Sequence, residues 1–105
     1  MSSSLDAFCE WARCFAVTLP ASAMVEIQKL EDQAYIDIEL EKGPLGRLSY
    51  WCSGSADAIT YDASGNLVDF TLDPAWAGPW DNVSPENFEG TFAPFVRSFS
   101  TTEPI

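Results

Sequence analysis

The stretch from Gly46 to Phe70 constrains the fold most, because it predicts three β-strands joined by two tight turns. The turns fall at residues 53–55 (Ser-Gly-Ser) and 63–66 (Ala-Ser-Gly-Asn). Gly and Asn tolerate the positive φ angles that hairpin turns need. This stretch therefore predicts the centre of an antiparallel sheet.

Side-chain alternation along these strands assigns each residue to a face of the sheet. The positions predicted to point inward are Leu48, Tyr50, Cys52, Ile59, Tyr61, Val68, Phe70 and Leu72. Those predicted to point outward are Arg47, Ser49, Trp51, Ala58, Thr60, Asp62, Asp69 and Thr71. A slip of one residue would instead place Trp51 in the core.

Two further strands are predicted before this stretch. Residues Met24 to Leu30 alternate apolar and polar side chains, which is typical of a half-buried strand. The alternation is most regular from Ala34 to Glu41, where the positions facing one side are Ala34, Ile36, Ile38 and Leu40. Five strands separated by short turns predict an antiparallel meander with one covered face.

Helices are predicted at both ends of the chain. Residues 4–19 have apolar side chains at helical spacing, and Pro20 ends the segment. A second helix is predicted to begin at Ser84-Pro85 and to break at residues 91–93, because Pro94 clashes with a helical carbonyl. The predicted fold is one α+β domain over residues 1–105, with the C-terminal helix on one sheet face and a loosely ordered tail at 100–105.

The chain is strongly acidic, with 16 Asp and Glu against 5 Lys and Arg and a net charge of −11. Such a charge repels phosphates and predicts no nucleic-acid binding. It favours a cationic protein partner, because the summed charge steers association. The alternative is that the acids serve solubility alone.

The composition also removes several kinds of chemistry. The chain has no His, so His-dependent nucleophiles and imidazole metal sites are excluded, and its 3 Cys have no metal-ligand spacing. We expect no enzyme activity, metal or cofactor, and three free buried thiols in a reducing compartment. The sequence shows neither a signal-peptide pattern nor an apolar run long enough to span a membrane, so the expected location is the cytoplasm.

Asp37, Glu39 and Glu41 form an acidic row along one predicted strand face, with successive carboxylates about 6 to 7 Å apart. Such a row can hold a hard cation or act as an acid–base pair, but no second element supplies further ligands. A partner-facing or solvated surface is the better interpretation. The candidate partner-binding residues are Tyr35, Asp37, Glu39, Glu41, Trp51, Asp57, Asp69, Trp76 and Trp80.

Trp76 and Trp80 belong to a Pro- and Trp-rich connection over residues 73–84. Two interpretations are open. The indole rings either pin this connection against the domain or are presented to a partner, where Trp is enriched in binding hot spots.

The order of these segments resembles the TriTu-type immunity proteins of bacterial polymorphic toxin systems. The resemblance includes a Trp-containing N-terminal helix, the strand A-Y-I-D-I-E-L-E and an aromatic C-terminal helix. It is most specific within residues 46–66, at Gly46-Arg47, Trp51, Ser53-Gly54, Asp57 and Asp62 to Gly65. The connection at 73–84 and the break at Pro94 depart from the family's pattern.

The resemblance implies a bacterial, cytoplasmic protein that is not an enzyme and that blocks a cognate toxin domain in the cell producing it. We expect stoichiometric inhibition by a monomer or weak homodimer, with no nucleic acid or membrane involved. One alternative is an effector-loading chaperone or adaptor, which leaves its client active. Another is a small-molecule-binding domain, which would need a polar, roomy interior.

Overall fold

A computed structural model of the chain describes residues 4–68, 81 and 83–99. It shows an α+β fold with an N-terminal helix, a four-stranded antiparallel sheet of order β1-β2-β3-β4, and C-terminal helices. The elements are α1 (Ser4–Ala16), β1 (Met24–Lys29), β2 (Gln33–Glu39), β3 (Leu45–Trp51), β4 (Ala56–Tyr61), a 3₁₀ turn (Pro85–Asn87), α2 (Phe88–Thr91) and α3 (Ala93–Ser98).

Helix α1 buries its predicted apolar face, and it ends three residues earlier than the sequence predicts. Leu5, Phe8, Ala12 and Phe15 are all buried. Beyond Ala16 the backbone tightens, because the N–H groups of residues 18 and 19 donate to carbonyls three residues back, at 2.9 and 3.1 Å. The Thr18 hydroxyl also donates to the Phe15 carbonyl at 2.6 Å, which competes with continued helix.

An aromatic cluster joins both helical segments to the sheet. Phe8 stacks on Tyr50 with ring centroids 5.5 Å apart, and Phe88 meets Tyr50 edge-on at 5.1 Å. Phe92 packs edge-on against Phe8 at 5.9 Å. Offset and edge-to-face pairs are the favourable arrangements of aromatic rings. The Tyr50 hydroxyl donates to the Val83 carbonyl at 3.1 Å, so its buried polar atom has a partner.

The predicted C-terminal break is confirmed. Helix α2 ends at Thr91 and α3 begins at Ala93, and Phe92 between them has φ −91° and ψ 4°. Pro94 occupies the first turn of α3, where its missing N–H costs no hydrogen bond. At the start of the segment, the Ser84 N–H donates to the Asn87 side-chain oxygen at 3.0 Å.

The predicted faces are correct for β2 and β3, but the prediction for β4 was wrong. Thr60 is fully buried, whereas Ile59 and Tyr61 are 41% and 36% exposed. Paired residues on neighbouring strands share a face, and the 52–55 turn pairs Tyr50 with Ala56 and Gly46 with Thr60. Inward Tyr50 therefore brings Thr60 inward and turns Ile59 and Tyr61 outward.

The structure does not show the predicted fifth strand. After the turn at residues 63–66, Leu67 forms a single antiparallel bridge with Tyr61, and the Val68 N–H donates to the Thr60 carbonyl at 2.8 Å. The remaining predicted positions, 69–72, lie outside the described residues, as does the predicted tail at 100–105. The prediction of buried thiols holds only for Cys9, because Cys14 and Cys52 are exposed.

Candidate protein-binding surface

The candidate site is the outer face of the sheet, which we define as the face turned away from the three helices. Helix α1 packs against β1, β2 and β3, and α3 packs against β4, all on the opposite, inner face. The strand register sets the outer face in four rows: Gln33 and Trp51; Gln28, Tyr35, Ser49 and Asp57; Glu26, Asp37, Arg47 and Ile59; Met24, Glu39, Leu45 and Tyr61.

Tyr35, Asp37 and Arg47 form an ordered cluster at the centre of the outer face. The Arg47 Nε and Nη2 atoms donate to the two carboxylate oxygens of Asp37 at 2.6 and 2.9 Å. The Arg47 guanidinium also lies 4.1 Å from the centroid of the Tyr35 ring, within cation–π range. The hydrogen bond that Arg47 donates to Asp37 raises the pKa of Arg47. These contacts hold the guanidinium in one orientation.

Exposed apolar side chains lie beside this cluster. Met24, Leu45 and Tyr61 share one row, and Ile59 lies in the next. Met24 is 69% exposed and Leu45 is 46% exposed. Two glutamates, Glu26 and Glu39, occupy positions in the same two rows. The outer face therefore combines exposed apolar area with carboxylates.

The structure brings five of the predicted binding residues onto this face. Tyr35, Asp37, Glu39, Trp51 and Asp57 all lie on its rows, and Trp51 is half-buried rather than fully exposed. Their predicted role in binding stays a prediction.

Glu41 is displaced from the predicted acidic row because β2 ends at Glu39. It lies in the β2–β3 turn, where it lines a cleft of about 410 Å³ with Ser22, Met24 and Glu39. Asp69, Trp76 and Trp80 lie outside the described residues.

Sequence reasoning missed Ile59 and Tyr61 because it reversed the faces of β4. It also missed Met24, Glu26 and Leu45, although alternation in the first strand marks Met24 and Glu26 as lying opposite Val25 and Ile27. No local signal predicts that Leu45 shares a row with Met24, since the two residues are aligned only through their common partner on β2, Glu39.

The described residues do not support a metal site on the acidic row. Within residues 4–68, 81 and 83–99, no group of three or more His, Cys, Asp or Glu side chains is placed to hold a metal ion. Asp37, the first carboxylate of that row, is engaged by Arg47. Over the same residues, no helix has the length and apolar character required to cross a membrane.

A second concave feature lies between α1 and the C-terminal helices. This groove has a volume of about 400 Å³ and is lined by Trp11, Cys14, Phe15, Thr18, Glu89, Ala93, Val96 and Arg97. Most of its lining is apolar. The polar, roomy interior that a small-molecule domain would need is absent from the described core, which is filled by aromatic rings.

No family model matches this chain, and comparisons with curated proteins and with solved structures find no significant match. The outer face is therefore the basis for assigning a function.

Proposed function

We propose that this chain is an immunity protein that binds a cognate, basic toxin domain and neutralises it by stoichiometric protein–protein inhibition. The observation that carries the proposal is the outer face, where exposed apolar side chains lie among carboxylates on a rigid sheet. No described helix covers this face. Its exposed apolar members are Met24, Leu45, Ile59 and Tyr61.

The composition of the outer face suits a protein partner. Contiguous exposed apolar area rimmed by polar residues is typical of protein interaction sites. Buried aromatic and apolar anchors supply most of the affinity of an interface, and surrounding charges supply steering and specificity. Tyr61 and Met24 are suitable anchors, while Glu26 and Glu39 supply the charge.

The Tyr35–Asp37–Arg47 cluster supports the same function for a different reason. Association is costly when side chains must be ordered at the interface. Arg47 is already held by two hydrogen bonds and by the Tyr35 ring. A partner that contacts this cluster therefore meets a preorganised surface.

The test is co-expression with the product of the adjacent gene, followed by co-purification and a measurement of cell survival. In the purified complex, the double variant Glu26→Lys/Glu39→Lys should slow association by about tenfold or more at low salt, since it reverses charge on the outer face. The matched control is Glu10→Lys/Glu31→Lys, which changes the net charge equally at exposed positions away from this face.

Equal slowing by the control pair would show that whole-molecule charge, not the outer face, governs association. Cells that are not protected, or a chain that forms no complex, would refute the immunity function. An active toxin domain within a stable complex would instead favour the adaptor alternative, so the activity of the complex is assayed as well.

A further inference from the structure

Strand β1 is the open edge of the sheet. The sheet order places it at one end, and five of its six residues are exposed. The opposite edge strand, β4, already receives a bridge from Leu67 and a hydrogen bond from Val68. Within the described residues, β1 is therefore the edge at which a further strand can pair.

The ladder geometry identifies which backbone groups face this edge. The Leu30 N–H donates to the Gln33 carbonyl at 2.7 Å, so this pair is hydrogen-bonded between β1 and β2. Bonded and non-bonded pairs alternate along an antiparallel ladder. Gln28 and Glu26 thus direct their amides toward β2. The amides and carbonyls of Val25, Ile27 and Lys29 point away from β2, in the plane of the sheet, toward the open edge.

An apolar groove lies on the inner side of the same edge. It has a volume of about 530 Å³ and lies between β1 and the C-terminal end of α1. Apolar side chains from both sides line it, including Ala16, Val17, Leu19, Ala23, Val25 and Ile27. Val17 is 79% exposed, so the groove is open to solvent.

Charge separates the two sides of the edge. Glu26 lies on the outer side, next to Asp37 on β2. On the inner side, Lys29 donates to Asp6 of α1 at 2.6 Å, so this cation is neutralised within the chain. A strand added here would meet apolar surface and the Arg13 side chain on its inner side, where basic residues are disfavoured, and carboxylates on its outer side.

We propose that β1 takes up an extended segment of a basic protein partner, with alternating apolar and basic residues, as a fifth strand. Its apolar side chains enter the groove beside Val25 and Ile27, and its basic side chains lie on the outer face near Glu26. This is strand addition to an open sheet edge, in which main-chain hydrogen bonds give affinity and alternate side chains give specificity.

A second copy of this chain fits the edge less well, because it would bring together two molecules that each carry a charge of −11. The proposal rests on the proposed function only for the identity of the partner, since the geometry of the edge is independent of it.

The probe is a short synthetic peptide of alternating lysine and valine, with capped ends, added to the full chain. Amide hydrogen exchange should slow by about tenfold or more at Val25, Ile27 and Lys29. The amides of Glu26 and Gln28, which already bond to β2, should change little. The same peptide with glutamate in place of lysine should not bind.

Two variants test the mode of binding. Val25→Pro removes an N–H that points to the open edge, without removing a hydrogen bond to β2. Proline is tolerated on edge strands, so the variant should fold and should weaken peptide binding at least about tenfold. Val25→Thr keeps the N–H and should stay within about twofold. Glu26→Lys should weaken binding of the lysine peptide by about tenfold or more, since it places a cation beside the peptide's basic side chains.

Protection at other segments, binding of both peptides alike, or no binding at all would overturn the proposal. Slowed exchange at β1 that depends on protein concentration without peptide would also overturn it, in favour of self-association. The exchange measurement needs no variant, so it is decisive even if Val25→Pro does not fold. Cell survival with Val25→Pro distinguishes the strand-addition proposal from the immunity proposal. If this variant binds no peptide but still protects cells, the edge proposal fails and the immunity function stands.

Discussion

Gly46 lies opposite Thr60 on the inner face of the sheet, and no larger residue fits there. A Cβ atom at position 46 would lie 2.9 Å from the Thr60 Oγ1 atom, 2.5 Å from the Ile59 carbonyl oxygen and 3.1 Å from the Phe99 ring. The missing side chain is what allows the last aromatic residue of the described C-terminal segment to reach the sheet.

Gly46→Ala should therefore destabilise the protein by about 2 kcal/mol, because backbone cannot move aside as a flexible side chain does. Urea unfolding followed by tryptophan fluorescence measures this change. The matched control is Gly90→Ala, at an exposed position of α2 where a Cβ meets no atom within 4 Å. That variant should stabilise by about 0.5 to 1 kcal/mol through helix propensity. Similar effects of the two substitutions would contradict the close approach at Gly46.

The Asp37–Arg47 pair should contribute modestly to stability despite its bidentate geometry. The side chains are 33% and 49% exposed, so solvent screens the pair. A double-mutant cycle with Asp37→Asn and Arg47→Gln should give a coupling of about 0.5 to 1 kcal/mol at low salt. The coupling should shrink at high salt. A coupling above about 3 kcal/mol would indicate that the pair is buried in solution.

The three thiols should react at different rates with a thiol-specific reagent. Cys14 and Cys52 are exposed, so the reagent should modify both of them rapidly in the folded protein. Cys9 is buried and should react only when the chain opens locally or unfolds. Intact-mass measurement should show two additions under native conditions and a third in denaturant. The control is Cys9→Ala, which should accept two under both conditions. Rapid native addition of a third label to the wild type would contradict burial of Cys9.

Stability should fall as the pH rises above the ordinary thiol pKa. Burial raises the pKa of Cys9 above its ordinary value of 9.0, outweighing the opposing effects of Arg13 and Lys29. Above this pH, the unfolded chain loses the thiol proton before the folded one, so the folded state binds more protons and loses relative stability. Cys9→Ala should flatten the decline in urea midpoint between about pH 8 and pH 10.

Lys29 has a separate effect at higher pH. The hydrogen bond that Lys29 donates to Asp6 raises the pKa of Lys29 above its ordinary 10.5. The stability that this ion pair contributes is present below that value and is lost as the pH rises further. Lys29→Met is a control of opposite sign for the Cys9 measurement: it removes a cation that lowers the pKa of Cys9, so the decline near pH 9 should persist and become steeper. An unchanged decline in Cys9→Ala would show that another group is responsible.

Most of the fold could be predicted from periodic patterns. The informative patterns each extend over only a few residues. They are the alternation at Ala34, Ile36 and Ile38, the helical spacing around Phe8, and the helix-breaking Pro94. Local sequence therefore determines them. The candidate surface was predicted only in part: Tyr35, Asp37 and Glu39 share a face by simple alternation, but their apolar neighbours come from other strands.

Residue patterns alone were enough to predict an acidic α+β domain whose second strand separates an apolar side from a carboxylate-bearing side. The packed fold was needed to establish which residues of β4 join each side and which edge of the described sheet is open. Alternation has a period of two, so a strand shifted by one residue shows the same pattern with its faces exchanged. The 52–55 turn and the close contact of Gly46 with Thr60 and Phe99 remove that freedom, and they turn Ile59 and Tyr61 outward.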